Sequence, residues 1–514
     1  MTDTSSEVLK NQPADLQKEQ PAEVQKDQMP ASQGGGVTPG KDAAAGRKIN
    51  LLKLLLIAFI CIVTYFLPYL MPDALPLTEI QQITMVIFVG AALLWILEPM
   101  PVYATSLTII GSLCIFISDG GFTPIREYLK KADPSHLMKY QTVLNSFSSP
   151  VLILFLGGFA LAIASTKYKL DINLAKILLK PFGKRPSLVT LGIMCITGCF
   201  AMFMSNTATT VMMLAMIAPV LTTVDKKDPG IKALVLAVPF AANIGGIATP
   251  VGTPPNAIAL SFLTGENSIS FMSWMMMCFP MAIVCIFAAW CVLHFMFPFR
   301  AREITLTIDS KFEKDWKSIV VYVIFALTIL LWMTEKLHGI NSYVIALVPL
   351  MGYTATGILT AGDIKRMNWD VIWLIAGGIA IGNALGATGL ADKLAHMVDY
   401  SRFSGFMIIA VLATIGWGLS NFISNTAAAN LMIPIAVAVL TNAADTGIQL
   451  SHSLVIMALA MSFAMTLPIS TPPNALAYAT GDVSNRDMMK AGGTVSVLCM
   501  LLAFAALYLI EHVF

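Results

Sequence analysis

Charge is what this sequence has least of. Only 12% of its 514 residues are Asp, Glu, Lys or Arg, and these gather in short loops between apolar runs of 18 residues or more. A string of soluble domains is thereby excluded, and the mean hydropathy of +0.74 fits a polytopic membrane protein. Carboxylates are missing from four long windows, 186–224, 233–265, 403–444 and 446–481. That absence argues against a proton relay, which needs Asp, Glu or His inside the bundle, and against a divalent-cation site, which usually wants carboxylate oxygens. The eight cysteines, at 61, 114, 195, 199, 278, 285, 291 and 499, all lie in apolar runs and form no metal-ligand pattern, so they read as small packing groups. No nucleophile with a base and no His and Asp ligand set stands at matching depth, which leaves an intramembrane enzyme without its chemistry. No nucleic-acid partner is expected, and the six histidines, placed singly or near segment ends, receive no role.

Residues 1–48 are rich in Gln, Lys, Glu, Asp, Ser and Pro and cannot bury enough apolar surface to fold, so they read as a disordered cytoplasmic tail. Glu7, Asp15, Glu19, Glu23 and Asp27 argue against an organelle transit peptide, and the run Leu51 to Met71 is too long for a signal-peptide core. A bacterial inner (plasma) membrane is the expected location.

Against this apolar background three small polar residues stand out. Ser205, Asn206 and Thr207 sit inside an uncharged run from Leu188 to Val224, where an amide and two hydroxyls without partners would each cost several kcal/mol. They must have something to bind. The same word returns as Ser424, Asn425 and Thr426, within a second uncharged run from Phe403 up to Asp445. Each copy precedes a second phrase, Gly252-Thr253-Pro254-Pro255-Asn256 and Ser470-Thr471-Pro472-Pro473-Asn474, and two glycine pairs, Gly157-Gly158 and Gly377-Gly378, come earlier. All three features recur at offsets of 218 to 220 residues, which marks an internal duplication whose Gly-, Pro- and Asn-interrupted segments point to a transporter site at mid-membrane.

Eleven spans are expected, near 51–71, 79–98, 101–119, 149–166, 232–262, 273–297, 317–335, 341–360, 369–387, 452–480 and 492–513. The Ser-Asn-Thr runs, 187–222 and 404–441, are then re-entrant hairpins. With the amino terminus inside and the carboxyl terminus outside, twenty Lys and Arg fall in inner loops and seven in outer ones, as the positive-inside rule requires. A first span (49–78) stands outside the duplication. Repeat 1 covers 79–298, with hairpin 187–222 and broken helix 232–262; repeat 2 covers 299–514, with hairpin 404–441 and broken helix 452–480. Five spans per repeat, an odd number, would insert the second copy upside down, so the hairpin tips approach from opposite faces.

A lone Ser-Asn-Thr is more often a cap, and a lone Pro-Pro a turn; recurrence in register inside uncharged segments reverses that reading. The tips offer oxygens for a cation and helix N–H groups for an anion. The paired prolines remove N–H donors and free the preceding carbonyls for a cation. Oxygen ligands without formal charge suit Na⁺, and a site without carboxylates suits an anionic substrate. The Met clusters 212–213 and 275–277 and the glycine pairs read as packing features.

On these residues the chain resembles the divalent anion/sodium symporter family of di- and tricarboxylate transporters, from about residue 50 onward. The resemblance implies a homodimer in a lipid bilayer, with scaffold and transport domains and an elevator motion. It implies a first sodium site at Ser205, Asn206 and Gly252, and a second at Ser424, Asn425 and Ser470, with Ser420 one turn before the second Ser-Asn-Thr. The first copy has Ala201 where that hydroxyl would be. Two or more coupling ions are expected. Substrate carboxylates would meet Asn206 with Thr207 and Asn425 with Thr426, aided by Thr253, Pro254, Thr471 and Pro472. The expectation is sodium-coupled uptake of C4-type dicarboxylates such as succinate, malate or fumarate. A sodium-independent dicarboxylate exchanger is the alternative within the family, and a channel is the alternative outside it.

Overall fold

The computed structural model describes residues 50–133, 136–304, 314–397, 403–443 and 449–512; the expected tail lies outside them. Among the described residues the β-structure is an isolated bridge between Ser118 and Met138, and the rest is helix and connection. Helix is what apolar sequence must form in a bilayer, because it satisfies the backbone within the segment.

The helices that build the bundle are α1 (Leu51–Leu70), α2 (Glu79–Leu97), α3 (Val102–Phe116), α4 (Pro150–Lys167), α5 (Pro186–Ala201), α6 (Asn206–Thr223), α7 (Gly230–Gly246), α8 (Pro254–Phe262) and α9 (Phe271–Met296). They continue as α10 (Trp316–Met333), α11 (Leu347–Ala355), α12 (Trp369–Ala387), α13 (Gly405–Ser420), α14 (Asn425–Asn442), α15 (Leu450–Ser462), α16 (Pro472–Ala479) and α17 (Asn485–His512). Nine helices among the described residues are long and apolar enough to cross a membrane. The difference from eleven spans has a plain cause. The expected spans 101–119 and 341–360 are helices of fewer than 18 residues, and 232–262 and 452–480 are each split in two. Meanwhile α6 and α14, the second arms of the two hairpin segments, meet the length and hydropathy criterion.

The breaks fall where the sequence forbids continuation. Pro254 and Pro472 open α8 and α16, at positions where a fixed φ suits helix entry and a missing N–H costs nothing. Between α5 and α6, and between α13 and α14, four residues turn the chain, and each hairpin's arms pack together. Short helices that the charged loops had hidden also appear, at Thr123–Ala132, Leu170–Leu179 and Ala361–Lys365.

At the centre lies α7, whose residues are all buried except Lys232. It packs on α5, α9 and α16. Around it the two halves of the chain interlock: α8 packs on α14 and α15, while α16 packs on α6 and α7. The glycine pairs permit close helix crossings. A side chain on Gly377 would meet Ser106 of α3, and one on Gly378 would overlap the Asn430 carboxamide of α14. At the other extreme, α1 packs on α2 and exposes most of its apolar surface, as a lipid-facing helix should.

Three polar ties hold the connections. Asp228 accepts hydrogen bonds from the backbone N–H groups of Gly230, Arg300 and Ala301. Lys167 Nζ sits 2.6 Å from Asp363 Oδ2 and also donates to the Ile358 carbonyl. Lys232 pairs with Asp487 at 2.9 Å.

Candidate functional site: a cavity where four helices begin

The hairpin tips and the helix breaks meet at one cavity of about 290 Å³. Its walls include Ser205, Asn206, Thr207, Gly252, Thr253, Pro254, Ser424, Asn425, Thr426, Ser470, Thr471 and Pro472, which is every residue assigned above to substrate or sodium except Ser420. Ser420 stands directly behind: its hydroxyl lies 2.8 Å from Asn425 Oδ1 and 2.8 Å from the Met461 carbonyl. The sequence reading missed Asn243, Asn368, Phe155, Phe159 and Phe203, which also line the cavity, beside Val251, Val371 and Leu374 among others.

Each polar word has a local reason for its geometry. Ser205 and Ser424 are the N-caps of α6 and α14, accepting hydrogen bonds from Ala208 N at 3.1 Å and Ala427 N at 3.2 Å. Capping of this kind stabilises a helix by about 1 kcal/mol. It also places Asn206-Thr207 and Asn425-Thr426 on the first turns, half-buried or exposed at the cavity. Thr253 and Thr471 are the N-caps of α8 and α16. Four helix N-termini therefore open on the same space, each with a partial positive charge; α6 and α14 also present first-turn N–H groups, whereas Pro254-Pro255 and Pro472-Pro473 supply none at the start of α8 and α16. No charged side chain lines it among the described residues. Such a chamber favours an anion.

Oxygens gather on its flanks. A side chain on Gly252 would collide with the Gly246 carbonyl and come within 2.9 Å of the Ala201 carbonyl, and one on Gly246 would reach 2.7 Å from Asn206 Oδ1. Backbone and amide oxygens thus crowd one spot that glycine alone leaves open. Asn206 Oδ1 is buried there without a hydrogen-bond partner, whereas Asn425 Oδ1 has the Ser420 hydroxyl within hydrogen-bond reach, its proton shared with the Met461 carbonyl. An orphaned buried oxygen among carbonyls fits a monovalent cation.

The asparagines of the two proline phrases pin the breaks. Asn256 Nδ2 donates to the carbonyls of Gly246 and Thr249, and Asn474 Nδ2 to those of Met465 and Leu467. Those carbonyls lie at the end of the first broken helix and in the two connections, where no helix bond satisfies them, so one amide ties down the break in each half. Tip and break are also tied to each other. Thr249 donates to the Met202 carbonyl, and Ser470 to the Asn421 carbonyl.

An all-helical chain of membrane-crossing helices that buries a small polar chamber at its centre is a membrane transporter. The chain belongs to the citrate transporter family, whose model matches residues 92–464. It is similar to the sodium-dependent dicarboxylate transporters SdcS of Staphylococcus saprophyticus, at 28% identity over 80% of this chain and 83% of that one, and of Staphylococcus aureus, at 26% identity over 91% and 92%. An uncharacterized transporter of Schizosaccharomyces pombe is 29% identical over 84% of this chain; the chain spans about half of that relative's length (49%). In fold it resembles the YdaH transporter of Alcanivorax borkumensis, with a TM-score of 0.53 at 12% identity over 76% of this chain and 90% of that one.

Proposed function

We propose that this protein is a sodium-coupled symporter of C4-type dicarboxylates, working by an elevator motion. Four N-terminal helix ends around an uncharged cavity of about 290 Å³ carry the reading. They attract an anion, and the volume, at the small end for ligand pockets, suits a molecule of few heavy atoms. Asn206 with Thr207 and Asn425 with Thr426 would each take one carboxylate, with Thr253 and Thr471 and the ends at Pro254 and Pro472 on the flanks. Na⁺ would sit by Ser205, Asn206 and Gly252 and by Ser420, Ser424, Asn425 and Ser470. Each ion brings positive charge to the dianion and the dianion brings negative charge to the ions, so each binds better with the other present.

In this reading the two halves are inverted repeats, 79–298 and 299–514, and the moving unit comprises both hairpins, both broken helices, α9 and α17. The chain works as a homodimer in a bacterial inner membrane, amino terminus inside. A second, wider opening of about 780 Å³, lined by Asn145, Ser149, Ser261, Glu335 and Asn383, lies at the start of α4 and toward the ends of α8 and α12 that face away from the central cavity, which is where a carrier would need room on its other side. A sodium-independent exchanger is the second reading, and Ala201 in place of a hydroxyl favours it.

Uptake of labelled succinate into proteoliposomes decides between them. Accumulation above equilibrium with an inward Na⁺ gradient, lost when K⁺ replaces Na⁺, is the expected result. Uptake indifferent to Na⁺ but dependent on internal dicarboxylate would establish the exchanger instead.

A further inference from the structure

The two proline phrases look equivalent in sequence, yet one is braced by a residue from the other half of the chain. Asn243 of α7, 2% exposed, donates from Nδ2 to Thr471 Oγ1 at 3.1 Å and lies 3.3 Å from Asn474 Oδ1. Its orientation is fixed by its neighbours: Asn474 donates its own amide protons to Met465 and Leu467, so its oxygen faces Asn243, and a nitrogen must face that oxygen. Thr471 Oγ1 also accepts from Asn474 N at 3.2 Å. A hydroxyl has two acceptor lone pairs and one proton. Both lone pairs are taken, so the proton is free only to donate, and Thr471 lines the cavity.

The first phrase has no such brace. At the offset of 218 that relates Thr253 to Thr471, the counterpart of Asn243 is Met461, a side chain without a donor that lies against Gly416. Asn256 Oδ1, the counterpart of the oxygen that Asn243 satisfies, is buried without a partner. Thr253 makes no cap bond.

We propose that Asn243 is a positioning residue that makes the two halves of the site unequal: it commits the Thr471 hydroxyl as a hydrogen-bond donor to one carboxylate of the substrate, so that end is held by a pre-set donor while the other end is not. The proposal rests on the dicarboxylate reading above and deepens it. A fixed donor needs no reorganisation when the carboxylate arrives, and loss of the brace lets Thr471 spend its proton on a neighbouring oxygen instead.

The test is succinate uptake in proteoliposomes by wild type, Asn243→Ala, Asn243→Leu, Thr471→Val and the double variant Asn243→Ala/Thr471→Val, with KM for succinate and half-saturating Na⁺ measured separately. Leu keeps the branching of Asn, with more bulk, but donates nothing. Both Asn243 variants are expected to raise the succinate KM about tenfold, with a smaller change in half-saturating Na⁺, and Thr471→Val should do the same. The double variant should be no worse than Thr471→Val alone, since the two residues act as one unit. A near-wild-type KM in Asn243→Leu or in Thr471→Val overturns the proposal, as do effects that multiply in the double variant. Should both Asn243 variants fail to fold, Asn243→Met, which carries the residue found at the equivalent place in the second half of the chain, is read in their place, and a near-wild-type KM there overturns the proposal. A wild type without saturable succinate uptake under any gradient overturns the dicarboxylate reading, and this proposal with it.

Discussion

The two hairpin tips share a sequence word and differ in what completes it. At the second tip the Ser420 hydroxyl reaches Asn425 Oδ1; at the first, Ala201 occupies that place and Asn206 Oδ1 is buried with no partner. The proline phrases differ in the same sense, because Asn474 Oδ1 is satisfied by Asn243 while Asn256 Oδ1 is orphaned. The second-half motifs are thus the better satisfied of the pair, and the first-half motifs carry open acceptors. An unmet buried acceptor costs about 1–3 kcal/mol. A site built this way has one half that is set before ligands arrive and one half that gains most from them, and cations are what open acceptors gain from.

The comparison is broken most severely by removing the amides themselves. Asn206→Ala and Asn425→Ala should each reduce uptake by two orders of magnitude or more at normal expression, because each removes a proposed ligand of both ion and carboxylate. Uptake that survives in one variant and not the other would confine the site to a single tip.

A gentler change exchanges the completing residues. Ser420→Ala should raise half-saturating Na⁺ about tenfold, the scale of one lost oxygen ligand or hydrogen bond to a charged group. Ala201→Ser should move it the other way, by giving the first tip the hydroxyl that the second has. Equal Na⁺ dependence in all three proteins would mean that the hydroxyl is a packing device, and the inequality of the tips would then have no part in coupling.

How far the sequence foretold this site follows from how it was searched. Uncharged runs made Ser205-Asn206-Thr207 and Ser424-Asn425-Thr426 conspicuous, and glycines and prolines marked the breaks before α8 and α16, so the caps, the breaks and all but one of the cavity residues named from sequence came together. Recurrence was the filter, and it hid what does not recur. Asn243 is an amide in an apolar run, as unusual there as Asn206, but its mate is Met461 and no repeated word announces it. The aromatic wall, Phe155, Phe159 and Phe203, was invisible for the opposite reason: apolar residues in apolar helices carry no contrast. The short helices Thr123–Ala132 and Leu170–Leu179 were read as loops because their charges mask a helical pattern that tertiary packing supports.

The glycine pairs offer a comparison in packing. Alanine at Gly378 would overlap the Asn430 carboxamide, which donates to the Leu374 carbonyl at 2.9 Å, while alanine at Gly158 would sit 3.5 Å from Val251, in ordinary contact. Gly378→Ala should therefore destabilise the purified protein by about 1–3 kcal/mol, the usual scale of overpacking, and Gly158→Ala by much less. Thermal unfolding in detergent measures both. Similar midpoints would show that α14 can withdraw from α12 at little cost.

The smallest expected effect concerns the tie between Lys167, at the end of α4, and Asp363, in the connection before α12. It has no reciprocal, since the residue 220 positions after Lys167 is Ala387. Burial alone would raise the Asp363 pKa, but the Lys167 ammonium and the Thr360 backbone and hydroxyl outweigh it and hold the carboxyl at about 2, below its ordinary 3.8. A carboxyl depressed in the folded state stabilises fully above its unfolded pKa, so the contribution is present above about pH 4 and fades as pH falls through about 2. Asp363→Asn should cost about 1 kcal/mol or less near neutral pH, because Lys167 is partly exposed to solvent. It should also flatten the fall in stability between those two pH values. If the variant's acid limb follows that of the wild type, the ion pair contributes nothing, and the connection between the halves at this edge rests on helix packing, α4 against α11 foremost, and on the Lys167 bond to the Ile358 carbonyl.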